Sequence, residues 1–128
     1  MNSRAKGRRI ENEFMKLLTD HGFIVNPPVP SRKFNKQVDH WGGRFDVEAI
    51  SLRYPEPTFF FQISTRWKCG NDRTHIEKFP ASPSRRVYMV RRKDNSGFEL
   101  KEYMGLPGWE DVAVASFLGT YGTGNGDD

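Results

Sequence analysis

RFDVEAISLRYPEPTFFFQISTRWK, residues 44–68, reads as two strands joined by a turn. Phe45, Val47, Ala49 and Ser51 alternate with Asp46, Glu48, Ile50 and Leu52, the period-2 pattern of a strand with one buried face. Tyr54-Pro55-Glu56-Pro57 breaks that pattern, as X-Pro pairs do. Thr58 to Ile63 follows, a β-branched and aromatic run suited to a central strand. Alternation puts Asp46 and Glu48 on one face, and Gln62, Ser64 and Arg66 on one face. An acid opens one strand, and polar side chains at every second position leave the end of its very apolar neighbour. Apolar strands ordinarily end in turn residues instead.

Working outward, Ile10, Phe14, Leu17 and Leu18 are spaced i, i+4, i+7, i+8, which predicts an amphipathic helix over Arg8 to His21. Glu11 lies beside Ile10 on that wheel, and Gly22 ends the helix. Phe23 to Val25 begins an extended piece. Pro27, Pro28 and Pro30 bar a central strand over residues 26–35, which reads as a surface loop, and Gln37 to Gly43 reads as loop or turn. Downstream, Cys69 to Asp72 is a turn and Arg73 to Phe79 a short helical piece. Val87 to Val90 is a strand flanked by the pairs Arg85-Arg86 and Arg91-Arg92. Asp94 to Gly97 is a turn, with Phe98, Leu100 and Tyr103 alternating beyond it. Glu110 to Leu118 reads as a helix with Trp109, Val112, Ala113 and Phe117 inward. The order helix, three strands, short helix, two strands, helix implies an α/β sandwich around a mixed sheet. Residues 1–118 form one domain, and the Gly-rich 119–128 a disordered tail.

At 128 residues there is chain for one modest core. The net charge of +4 makes a polyanionic partner plausible without demanding one. The lone Cys69 excludes an intrachain disulfide and fits a reducing cytoplasm. No apolar run of membrane-spanning length and no signal-peptide core occurs, so no membrane is expected. Arg4, Lys6, Arg8 and Arg9 lead into the first helix, either as a solvated basic arm or as phosphate contacts.

Phosphodiester cleavage with a metal needs a hard cation on oxygen ligands, which neutralises charge and acidifies a bound water. Carboxylates from separate elements must converge for that. The candidates are Glu11 on the first helix, Asp46 at its strand, and Gln62 at the end of the partner strand. Lys6-Gly7, then Glu11-Asn12-Glu13-Phe14, then His21-Gly22-Phe23, together with Asp46 and Gln62-Ile63-Ser64, resemble the motifs of the PD-(D/E)XK nuclease superfamily. The likeness is nearest to the archaeal-type Holliday junction resolvases and spans roughly residues 4 to 92.

The resemblance implies a restriction-endonuclease-like α/β sandwich and a divalent-metal-dependent endonuclease acting on branched or duplex DNA, in particular four-way junctions. It implies a homodimer; the Val87–Val90 strand and the helix near Trp109–Leu118, more apolar than so small a core requires, are the candidate interface elements. Mg²⁺ or Mn²⁺ is the implied cofactor, on Glu11, Asp46 and Gln62, with no small-molecule cofactor. Ser64 and Arg66 complete the implied catalytic set. DNA-binding candidates are Arg4, Lys6, Arg8, Arg9, Arg32, Lys33 and Lys68. The chain departs from the family motif twice. Gln62 stands for an acid, keeping an oxygen ligand without its charge, and Ser64 stands for the lysine. Arg66 lies roughly 6.6 Å further along the strand and is within reach, whereas Lys68 is about 13 Å away. A guanidinium stabilises charge but is effectively never a base. A bacterial or archaeal cell, or a phage genome, is the expected source. The alternative is a degenerate nuclease fold that binds nucleic acid or a protein without cutting.

Overall fold

The computed structural model describes residues 3–26, 29–31, 36–38, 45–54, 56–93, 97–105 and 108–122, with only the backbone for 3–7, 29–31 and 36–38. In chain order the elements are α1 (Ser3–Asp20), β1 (Phe23–Asn26), β2 (Val29–Ser31), β3 (Lys36–Val38), β4 (Val47–Ser51) and β5 (Thr58–Ser64). Then come α2 (Gly70–Glu77), β6 (Arg85–Lys93), β7 (Gly97–Tyr103), β8 (Trp109–Val112) and α3 (Val114–Tyr121). Six strands form one mixed sheet in the order β1-β4-β5-β6-β7-β8, and β2 pairs with β3 apart from it. Only β5 and β6 run parallel within the larger sheet, with α2 in the connection between them. The expected order of helices and strands is thus present, with β2, β3 and β8 added.

β5 explains the layering. Phe59 through Ile63 are all buried, so this strand is covered on both faces and sits inside the sheet. Its odd-numbered residues Phe59, Phe61 and Ile63 pack beneath α1 and α3, with Ile10, Phe14, Leu18, Tyr88, Val90 and Phe117. Phe60 lies on the opposite face with Phe45, Val87 and Met89, covered by Ile76 of α2 and by Phe79. The ring of Phe14 stands edge-on to Phe61 at 5.0 Å and to Phe98 at 5.1 Å, locking α1 across β5 and β7. Each such side chain stabilises the fold by about 1.5–3 kcal/mol through burial.

Several boundaries differ from the sequence reading. α1 begins at Ser3 rather than about Arg8, so the basic arm is part of the helix. β3 takes Gln37 and Val38 out of the expected loop. α2 starts at Gly70, because the expected turn at Cys69 to Asp72 supplies the first helical turn. β6 is longer than Val87–Val90 and contains both arginine pairs. It is also interior, between β5 and β7, and Val87–Val90 are buried within the chain. The expected helix from Glu110 splits into β8 and α3. Trp109 then faces the α2 side beside Tyr103, whose ring is 5.0 Å away, and Tyr103 itself turns away from Phe98 and Leu100. α3 continues past Leu118 to Tyr121, whose ring packs on Phe59 at 4.9 Å. The ordered part of the domain therefore includes 119–122; residues 123–128 lie outside the described residues.

Candidate active site

β4 runs antiparallel to β5, so the start of one meets the end of the other. Asp46 stands just before β4, and its N–H donates to Phe61 O at 2.9 Å. Its carboxylate Oδ2 accepts from the Ile63 N–H at 2.6 Å, replacing a backbone carbonyl where the ladder ends. The carboxylate therefore lies at the rim of the sheet, in the plane of the ladder, and is only 7% exposed. The alternation of β4 fails one residue earlier. Phe45 leaves the Val47–Ala49 face and packs with Phe60 and Phe79 on the α2 side.

Gln62 is 8% exposed and lies on the α2 face of β5, with Phe60. Its Nε2 donates to Ile63 O at 3.2 Å, which leaves the amide oxygen as the atom a cation would take. Ser64 is on the same face; its Oγ accepts the Arg66 N–H at 3.4 Å. Arg66 is exposed, and Lys68 is half-buried on the segment before α2.

Glu11 is half-buried on α1. Two contacts orient this helix. Glu13 pairs with Arg92 near the end of β6, whereas the Leu52 N–H bonds Gly22 O just after the helix, at the opposite end of the sheet. The N-terminal half of α1, with Glu11 and the exposed Arg8 and Arg9, thus lies at the Asp46 end. However, α1 covers the face away from Gln62 and Ser64. Asp46 and Gln62 are brought together, and Glu11 approaches their rim from the other side. The side chains of Arg4 and Lys6, and all of Arg32 and Lys33, lie outside the described residues.

The fit to a metal follows from the donors. Two carboxylates and one amide oxygen are hard ligands of the kind that Mg²⁺ or Mn²⁺ takes, and Mg²⁺ usually keeps several waters beside one or two carboxylates. Among the described residues no group of three or more His, Cys, Asp or Glu forms a metal site. The expected set holds only two such residues, its third ligand being an amide.

The sequence reading takes Arg91 with Arg92 as solvated strand ends or a DNA-facing rim, and does not single out Trp67 and Lys101 beside Ser64. In the parallel register Ser64 is level with Arg91. The Arg91 guanidinium lies 4.9 Å from the Trp67 ring centre, and the Lys101 ammonium 5.1 Å from the same ring. Arg91 also donates to Glu99 Oε1 through Nε at 2.8 Å and through Nη2. The adjacent Arg92 points to the α1 face instead, so the pair Arg91-Arg92 is divided between the two faces. The alternation of β6 carries that signal once its register against β5 is fixed.

The chain matches no protein-family model, no curated protein and no solved structure. No described helix is long and apolar enough to cross a membrane.

Proposed function

We propose that the chain is a divalent-metal-dependent endonuclease for branched DNA, of the resolvase kind its motifs resemble, built on a restriction-endonuclease-like sandwich. The observation that carries this reading is the buried Asp46 carboxylate at the end of β4, beside the buried Gln62 amide at the end of β5. Such polar groups leaving the most apolar strand are costly unless satisfied. Asp46 has a structural use in accepting the Ile63 N–H, and a cation would give the same carboxylate a chemical one.

In this mechanism the Ile63 N–H fixes the orientation of Asp46. Asp46 and Gln62, with Glu11 reaching from α1, would hold the metal, which would supply Lewis acidity and a more acidic water. The Ser64 hydroxyl donates a neutral hydrogen bond to a water or phosphate oxygen. Arg66, exposed just beyond it, stabilises developing charge without acting as a base. Two symmetry-related cuts in a four-way junction call for two sites, hence a homodimer. With β6 interior, α3 is the remaining candidate interface element; a groove of about 870 Å³ runs between it and α1, lined by Leu17, Phe98, Val114 and Leu118.

Asp46→Asn keeps an oxygen for the Ile63 N–H and removes the charge a cation needs. It is expected to abolish Mg²⁺- or Mn²⁺-dependent cleavage of a four-way junction, read in single turnover, while DNA binding stays near wild type. Full cleavage by this variant would overturn the assignment. No cleavage by the wild type with any divalent metal would leave the binding-only reading.

A further inference from the structure

We infer that Trp67, Arg91 and Lys101 form a seat for a backbone phosphate of DNA on the α2 face of the sheet, and that the Glu99 carboxylate holds this seat when no strand is present. The inference rests on the nuclease reading for its choice of DNA, but its geometry stands apart from the metal ligands.

Two cations gathered on one indole ring repel each other and need counter-charge. Glu99 provides it, to Arg91 directly and to Lys93 at 4.0 Å, while the largely exposed Asp111 lies 3.8 Å from Lys101. In these pairs three cations, Arg91, Lys93 and Lys101, meet two acids, Glu99 and Asp111, and Arg66 and Lys68 flank Trp67 in the chain. A phosphate is chemically what the Glu99 carboxylate resembles, an anion presenting oxygens to a guanidinium fork. Arg91 and Lys101 border an open groove of about 480 Å³ with Trp67, so a strand has access to them. Arg91 is level with Ser64 across the parallel pair, so a phosphate held here is next to the polar end of β5. The strand is thereby placed on the face opposite the exposed Arg8 and Arg9 of α1.

The test is equilibrium binding of a fluorescent duplex oligonucleotide in EDTA across a range of KCl, with thermal melts confirming that each variant folds. The double variant Arg91→Gln/Lys101→Gln is expected to lower the salt slope by about 2, near 0.9 for each lost contact. Glu99→Gln is expected to bind more tightly at every salt concentration, since the competing carboxylate is gone. An unchanged slope in a folded double variant overturns the proposal, as does unchanged or weaker binding by Glu99→Gln; the latter decides alone if the double variant does not fold. Binding as expected, with no cleavage when metal is supplied, removes the nuclease reading and leaves this seat. Cleavage by a protein whose slope ignores Arg91 and Lys101 does the reverse.

Discussion

Asp46 carries a structural and a chemical duty in the same carboxylate, and the two respond differently to substitution. Asn retains an oxygen for the Ile63 N–H, so its stability is expected to stay near wild type. Ala leaves that buried donor without its partner at the end of β5, at a cost of about 1–3 kcal/mol. Urea unfolding of both variants checks this; equal stability would mean that water satisfies Ile63 as well as the carboxylate does. The acid itself was legible in the sequence, because alternation over residues 45–52 marks Asp46 and Glu48 and the motif resemblance picks Asp46 of the two. Its hydrogen bond was not, since that depends on Phe45 leaving the pattern to join Phe60 and Phe79 on the other face.

Among the elements, β8 is short and at the sheet edge, and a side-chain link fastens it to α2. Trp109 Nε1 donates to Glu77 Oε2 at 2.7 Å, and Arg73 Nε to the same oxygen at 3.0 Å. The indole N–H first, then Arg73, hold the Glu77 carboxyl below its ordinary 4.5, against the opposing effect of burial. A carboxylate depressed in this way contributes stability above its unfolded value, and the contribution is lost as pH falls through the folded value. Trp109→Phe removes the N–H, so Glu77 is expected to titrate closer to 4.5 in an NMR carboxyl titration. The stability gap between variant and wild type should narrow as pH falls below that range, modestly because solvent screens the pair. A gap independent of pH would assign the loss to packing alone. The same element shows where sequence reading fails. Four residues, with Glu110 and Asp111 exposed between Trp109 and Val112, give no period to set against a helix, and the helical spacing that follows absorbs them. α1 was legible because Ile10, Phe14, Leu17 and Leu18 form one stripe against a single core. The pairs Arg86–Glu102 and Arg92–Glu13 join residues far apart in the chain, and follow from the β6–β7 register and from the seat of α1 on the sheet.

At the scale of the molecule, β5 and β6 contribute to both hydrophobic layers, Phe61 and Tyr88 to one and Phe60 and Val87 to the other. Neither layer can loosen without exposing the strands that support its counterpart. Aromatic near-UV and backbone far-UV dichroism are therefore expected to change at one denaturant midpoint. Separate midpoints would show that the layer under α2 melts by itself. The C-terminal end of α3 is tied down, with Ser51 Oγ donating to Tyr121 O, and its last turn meets the far end of α1. A methyl on Gly122 would sit 2.5 Å from Leu118 O and 2.8 Å from His21 O, so glycine is required there by space, at an ordinary φ of −83°. This closure has a practical side. Ser3 begins α1 near the Asp46 rim, whereas Gly122 lies beside His21 at the other end of that helix, about 27 Å away along its axis. A dye, affinity handle or fusion partner attached after residue 122 projects away from the rim where DNA would approach, and one attached ahead of Ser3 crowds it.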